Sequence, residues 1–319
     1  MRFVVTGALG HIGSRLIRDL PVAFPDPEVV MVDNLATQRY ASLFHLPAEG
    51  RYRFVEADIL AADLAELFAG ADAVVHLAAL TDAARSFGIR EQVEQVNLDG
   101  TRAVAQACVR TGVPLVFTST TSVYGVQAET VNEECESLRP QSPYAESKLA
   151  CERLLARAGA VEGLRFVSLR FGTIFGPSPG MRFHTAVNKF CWQVASGQPL
   201  TVWRDALHQH RPYLDLSDAS RALAFVLRRA MFDRRVYNVL TLNATVAEIT
   251  DAICAQVPGV RLELVDSPLL NQHSYRVSRE RFTRSGFEFR GDLGRGIAAT
   301  LERLGTLVNR EEALAHLDP

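Results

Sequence analysis

Through the first half of the chain, short apolar runs rich in β-branched residues alternate with stretches whose apolar residues recur at helical spacing. Phe3-Val4-Val5-Thr6 is the first run, and beyond a glycine-rich turn Leu16, Ile17 and Leu20 mark one face of a helix. Val29-Val30-Met31-Val32, Phe54-Val55-Glu56-Ala57, Ala73-Val74-Val75-His76, Leu115-Val116-Phe117-Thr118 and Phe166-Val167-Ser168-Leu169 read as further strands, most of them separated by helical patterns. This alternation predicts an α/β fold, a doubly wound parallel sheet covered on both faces, with ligands at the carboxyl ends of its strands. Asp58, His76, Ala78, Ala79, Arg170 and residues 118–121 fall at or just beyond those ends.

After Leu169 the periodicity is less regular, and Gly172, Gly176-Pro177 and Pro179-Gly180 interrupt the chain. The pattern predicts a helix over 185–194, a strand at Leu200-Thr201-Val202-Trp203, and another near Val236-Tyr237-Asn238-Val239 that returns to the sheet. Thr245-Val246-Ala247-Glu248 is a capping box that opens a further helix. The expected organisation is a first domain of residues 1–172, to which 209–243 returns, and a smaller C-terminal substrate-binding lobe of 173–208 and 244–319.

The chain has 319 residues, 48% of them hydrophobic, which is ample for a buried core. Net charge is −2 and no long run of one sign occurs, which argues against nucleic acid or an anionic membrane as partner and for a small molecule. Cys108, Cys135, Cys151, Cys191 and Cys254 are scattered, odd in number and never in a C-x-x-C pair, so reduced thiols are expected, with neither a disulfide framework nor structural zinc. His208 and His210 lack a nearby third ligand, and no metal is expected. The chain opens directly into a strand and no apolar run approaches a membrane-spanning length, so a cytoplasmic protein is expected.

Two stretches carry candidate chemistry. Gly7-Ala8-Leu9-Gly10-His11-Ile12-Gly13 links the first strand to the first helix, where glycines allow a tight turn and a close approach by a pyrophosphate at the helix N-terminus. Asp33 ends the second strand 20 residues after Gly13, where an acid accepts hydrogen bonds from a ribose diol and repels a 2′-phosphate. Together they predict a dinucleotide site that prefers NAD to NADP. The second stretch is Ser142-Pro143-Tyr144-Ala145-Glu146-Ser147-Lys148. Ser142 is placed to cap a helix with Pro143 at its first position, so Tyr144 and Lys148 share a face. Ionising a free tyrosine at pH 7 costs roughly 4 kcal/mol, and a nearby fixed cation lowers that cost. Tyr144 is therefore the expected base and Lys148 the charge that tunes it.

In these stretches the chain resembles an extended short-chain dehydrogenase/reductase of the NAD-dependent sugar epimerase/dehydratase family, whose fold is of the Rossmann type and whose habit is a homodimer. The match also includes Asp33-Asn34-Leu35, Asp58-Ile59, His76-Leu77-Ala78-Ala79, Asn97-Leu98-Asp99-Gly100-Thr101, Ser119-Thr120-Thr121-Ser122-Val123-Tyr124-Gly125 and Gly176-Pro177. The resemblance implies that Asp58 and Ile59 frame the adenine and that Leu77, Ala78 and Ala79 line the cofactor. Asn97 would hold it from the next helix, and Lys148 would bind the nicotinamide ribose. Gly7, Gly10, His11, Ile12, Gly13, Asp33, Asn34, Thr118 and Tyr144 complete the expected cofactor set. Thr120 falls on the family's catalytic Ser/Thr, with Ser122 as a second hydroxyl. The expected substrate contacts are Thr81, Thr120, Thr173, Asn188 and Arg211, the arginine lying in a segment that resembles one that grips a nucleotide diphosphate.

Three departures from the family matter. Thr173 stands where an asparagine is frequent, and the second diphosphate arginine is missing near 270–272, where Asn271 and Gln272 stand and Arg276 is the nearest substitute. Thr121-Ser122 replaces the Asp-Glu that dehydratases carry after the catalytic hydroxyl, and hydroxyls cannot abstract a proton from carbon. The expected enzyme is therefore an NAD-dependent C4 epimerase of an activated, nucleotide-diphosphate sugar. The alternatives are a sugar or alcohol dehydrogenase or ketoreductase, and a non-catalytic dinucleotide sensor or scaffold.

Overall fold

The computed structural model describes residues 1–266 and 274–305. Its main sheet contains β1 (Arg2–Thr6), β2 (Glu28–Asp33), β3 (Arg51–Glu56), β4 (Ala73–His76), β5 (Leu115–Thr120), β7 (Phe166–Phe171) and β11 (Val236–Val239), and every neighbouring pair is parallel. The strand order is β11-β7-β5-β4-β1-β2-β3. Strand order reverses beside β1, so the loop leaving β1 opens at a topological switch point, where such sheets bind ligands. The inner strands are buried on both faces, which is why their sequences are nearly continuous apolar runs.

Two cores cover the sheet. On one face α1 (His11–Ala23) and α7 (Leu216–Arg229) pack together, with Leu16, Ile17, Leu20, Leu223 and Val226 against Val5, Met31 and Leu169. On the other face lie α2 (Leu64–Phe68), α4 (Gly100–Thr111) and α5 (Pro143–Val161), with α3 (Arg90–Glu94) leading through a π-helical turn into α4. Phe68, Val104, Cys108, Cys151 and Leu155 fill that side against Val4, Val74 and Leu115.

The lobe is built on a three-stranded sheet of β8 (Thr173–Phe175), β10 (His210–Asp215) and β12 (Leu242–Thr245). Helices α6 (Ala186–Ala195), α8 (Val246–Cys254) and α10 (Leu293–Leu304) close its core around Phe175, Phe190, Tyr213, Ile249 and Ile297. The Thr245/Glu248 capping box is present at the start of α8. Two short pairings complete the architecture, β9 (Leu200–Trp203) with β13 (Leu262–Val265) and β6 (Thr130–Val131) with β14 (Arg276–Val277). β14 leads into α9 (Glu280–Arg284), whose Phe282 is buried in the main-sheet core with Phe287 and Tyr237.

The segment 209–243 divides between the two units instead of returning whole to the sheet. β10 joins the lobe sheet, while α7 and β11 return to the main sheet. A single boundary at 243 is not legible because Leu214, Leu216 and Leu223 are equally apolar whichever sheet they face. Asn271 and Gln272 lie outside the described residues, as does the end of the expected 244–319 segment. Among the described residues, no helix is long and apolar enough to cross a membrane.

Candidate active site

A cavity of about 660 Å³ opens between the carboxyl ends of the main sheet and the lobe. At one end lies the glycine loop. Gly7 has φ 67°, and a Cβ there would sit 2.6 Å from the Ala78 backbone nitrogen. A Cβ on Gly13 would sit 2.5 Å from the Gly7 carbonyl oxygen. These contacts require glycine, because side chains would separate the loop from β4 and α1. The loop's backbone N–H groups therefore remain close to the surface that an anion would use.

Asp33 is fixed by its own surroundings, since one carboxylate oxygen accepts from the Leu9 N–H and the other from the Leu35 N–H, each at 3.0 Å. Asn34 donates to Asp58 at 3.0 Å, which ties the ends of β2 and β3 together. Ile59 is buried beneath them, and its side chain would be only 2.6 Å from a Cβ on Gly100.

Ser142 caps α5 as its sequence implies, accepting from the Ala145 N–H at 3.2 Å with Pro143 in the first turn. Tyr144 and Lys148 both line the cavity, as do Thr118, Thr120 and Ser122 at the end of β5. Burial pushes the Tyr144 phenol up to about 12, against a hydrogen bond from Thr120 and the charge of Arg182, which pull it down. Lys148 shares the cavity with the phenol and makes contacts of its own. Its ammonium donates to the Thr118 carbonyl at 2.9 Å and lies over the Phe117 ring, 4.8 Å from the centroid. Burial brings this lysine down to about 8, with Cys151 and Glu152 opposing. The i,i+4 spacing put both groups on one face without determining which partner the flexible lysine would find.

Gly7, Gly10, His11, Ile12, Gly13, Leu77, Ala79, Thr81, Thr173 and Arg211 also line the cavity. Asp33, Asn34, Asp58, Ile59, Ala78, Asn97 and Asn188 are not among its lining residues. Asn97 is buried, accepts from the Leu80 N–H at 2.8 Å, and donates to the Leu80 carbonyl at 3.0 Å and the Ser147 hydroxyl at 2.9 Å. It thereby fixes the loop after β4 to α5. Asn188 is also buried, accepting from the Gly176 N–H at 3.2 Å and donating to the Arg182 carbonyl at 2.9 Å. Arg276 pairs with His210 at 2.6 Å and is not among the residues lining the cavity.

Several lining residues were not singled out by sequence, including Asp82, Arg182, His184, Lys189, Trp203 and Tyr275. Most stand in loops, and Lys189 and Trp203 stand on α6 and β9 with no spacing motif around them. The one available signal was Arg182 itself, a lone cation just beyond a run broken by Pro177, Pro179 and Gly180. Behind the cavity wall formed by the end of β5, Glu152 receives two hydrogen bonds from Arg170, at 2.9 and 2.7 Å, and one from Ser119 at 2.5 Å. This buried pair ties α5 to β5 and β7 directly below Thr120. No cluster of three metal-ligating side chains occurs among the described residues.

A glycine loop at the switch point, with Tyr144, Lys148 and Thr120 lining the same cavity, belongs to a Rossmann-type nucleotide-binding fold. The chain belongs to the NAD dependent epimerase/dehydratase family, whose description matches residues 3–239. A dTDP-glucose 4,6-dehydratase of Streptomyces griseus is 32% identical over 311 residues, covering 93% of this chain and 92% of that protein. The UDP-glucuronic acid 4-epimerase of Bacillus cereus, solved in complex with UDP-glucuronic acid and NAD, superposes with a TM-score of 0.84 at 25% identity, covering 95% of this chain and 99% of that one. A trifunctional UDP-glucose 4,6-dehydratase/UDP-4-keto-6-deoxy-D-glucose 3,5-epimerase/UDP-4-keto-L-rhamnose-reductase of Arabidopsis thaliana is 28% identical over 94% of this chain, which spans only 46% of that protein's length.

Proposed function

We propose that this chain is an NAD-dependent epimerase of a nucleotide-activated sugar, acting at C4. The glycine loop fits the cofactor, since a Cβ at Gly7 or Gly13 would collide with neighbouring backbone while the space over the loop stays open to the cavity. Gly7, Gly10, His11, Ile12 and Gly13 would hold the pyrophosphate, Asp33 the adenosine ribose, and Tyr144 with Lys148 the nicotinamide end. Bound there, NAD would take a hydride from the sugar carbon and return it to the opposite face.

The protein's own part is proton transfer and restraint. Tyr144 takes the sugar hydroxyl proton as the carbonyl forms and returns it on reduction, while Thr120 and Ser122 hold the same oxygen. The phenol's elevated pKa keeps it protonated at rest, so a nearby positive charge is needed for it to act as base near neutrality. Arg211 would grip the nucleotide diphosphate with its planar fork.

The observation that supports epimerisation over dehydration is the set of acids at the site. Thr121 is buried and donates to the Phe171 carbonyl, and Ser122 offers only a hydroxyl. Glu146 is exposed and pairs with Arg90 at 2.5 Å. Among the described lining residues the one carboxylate is Asp82, on the loop after β4. Dehydration needs a base to take the proton from carbon and an acid to protonate the departing hydroxide, and one carboxylate at Asp82 is a poor substitute for such a pair.

Incubation with UDP- and dTDP-hexoses in deuterated water separates the two reactions. The expected product is the C4 epimer, unchanged in mass and without ring deuterium. Loss of one water, or deuterium at C5, would assign elimination, with Asp82 as the acid. Accumulation of NADH would assign a net dehydrogenase.

A further inference from the structure

Two guanidinium groups beside the glycine loop form no ion pair among the described residues. Arg39 lies on the loop after β2, with Nη1 3.9 Å from where a Cβ on Gly10 would be. Arg182 lines the cavity, with Gly10, at the far end of a strap, residues 176–182, that crosses from the lobe to α1. The strap is held there by specific bonds. His11 Nε2 meets the Gly176 carbonyl at 2.8 Å, Ser178 donates to the His11 carbonyl at 2.9 Å, and the Gly180 N–H donates to Ser14 at 3.0 Å. Gly180 presses so closely on the loop that a Cβ would be 2.2 Å from the Leu9 carbonyl oxygen.

Arg39 Nη1 and Arg182 Nε are both buried without a hydrogen-bond partner. Among the described residues neither guanidinium forms an ion pair; Asp33, the acid acting on Arg39, is bound to two backbone N–H groups instead. The other charged groups facing Arg182 are His184, Asp82 and Arg39 itself, whose like charge, after burial, lowers Arg182 to about 10. Two like charges, each partly buried beside the same loop, repel one another, and an anion between them would relieve that repulsion. The adjacent N-terminus of α1 adds partial positive charge to the same wall.

We infer that Arg39 and Arg182 form a two-pronged clamp that holds the cofactor's pyrophosphate against the glycine loop. This rests on the dinucleotide site proposed above and extends it to residues outside the glycine motif, one of them carried by the substrate lobe. Two guanidinium charges match the two negative charges of a pyrophosphate, and their forks pair phosphate oxygens directly.

Calorimetric titration of the whole chain with NAD, ADP-ribose and UDP tests the clamp. ADP-ribose keeps the pyrophosphate without the nicotinamide, and UDP probes the sugar-nucleotide end. Arg39→Ala and Arg182→Ala are each expected to weaken NAD and ADP-ribose by about 10- to 100-fold, as loss of a charged hydrogen bond does, and to leave UDP within about twofold. Arg39→Lys and Arg182→Lys should recover part of the loss, which a general packing defect would not allow, and Gln replaces Ala in any variant that fails to fold. Unchanged ADP-ribose affinity in both Ala variants overturns the clamp alone. A loss confined to UDP in Arg182→Ala gives that arginine to the substrate and also overturns it. Failure of the unmutated chain to bind either NAD or ADP-ribose overturns the cofactor site as well.

Discussion

Tyr144 shows how much a single residue's surroundings decide. It is half-buried in the cavity wall, and desolvation there favours the protonated form more strongly than Thr120 and the Arg182 charge favour the phenolate. Removing the hydroxyl takes away the proposed base without leaving a charge unpaired. Tyr144→Phe is therefore expected to cut turnover by about 100-fold or more, in line with general base catalysis, while NAD affinity stays within about threefold by titration. Turnover at the unmutated level would remove Tyr144 from the mechanism. The sequence made this residue conspicuous because a Ser-Pro cap followed by Y-x-x-x-K fixes both helix start and facing. It did not show where Lys148 points, since four rotatable bonds let the ammonium reach the Thr118 carbonyl. Arg182 was silent for a related reason. Its importance comes from what surrounds it in space, and nothing in the residues beside it forms a motif.

At the scale of elements, the strands and the capped helices were the most legible parts. Apolar runs rich in β-branched residues gave β1, β2, β4, β5 and β7, and the strand at Leu200–Trp203 falls where its alternation put it. What the pattern did not convey was partnership, because β10 carries the same apolar alternation whether it pairs in the main sheet or beside β8 and β12. The two asparagines expected to touch ligands illustrate the same gap. Asn97 and Asn188 are buried and bonded to backbone, so they set loop shape from behind the cavity. Asn188→Ala would leave the Gly176 N–H without its acceptor and release the strap at Arg182. The expected cost is about 1–3 kcal/mol of stability, read as a shift in the urea midpoint, together with weaker NAD binding. A variant that matched the unmutated chain in both would show that α6 does not hold the strap.

For the molecule as a whole, two buried histidines link stability to acid. Burial lowers His11 to about 4 against its bond to Gly176, and lowers His76 to about 3, with the Lys148 charge adding to the effect. His76 sits between the Thr6 hydroxyl at 2.7 Å and the Thr101 hydroxyl at 3.2 Å, a place for a neutral ring that joins β1, β4 and α4. The unfolded chain takes up these protons near 6.5, earlier than the native one does. Their stabilisation is therefore complete above about pH 6.5 and is lost as pH falls toward 4 and then 3, at up to about 1.4 kcal/mol per pH unit for each ring. Denaturation midpoints measured between pH 7 and 5 should show this slope, and His76→Gln should flatten it. An unchanged slope in that variant would mean that other groups govern the acid limb.

The strap that joins Gly176, Ser178 and Gly180 to α1 has a consequence for how the two halves of the site respond to each other. The segment that shapes the sugar end also touches the loop proposed to hold NAD, so neither ligand acts on a surface that belongs to it alone. If a sugar nucleotide draws the lobe inward and tightens the hold on NAD by some factor, thermodynamic reciprocity requires NAD to tighten the hold on the sugar nucleotide by the same factor. The cofactor would then be most firmly retained during the part of the cycle in which it carries the sugar's hydride.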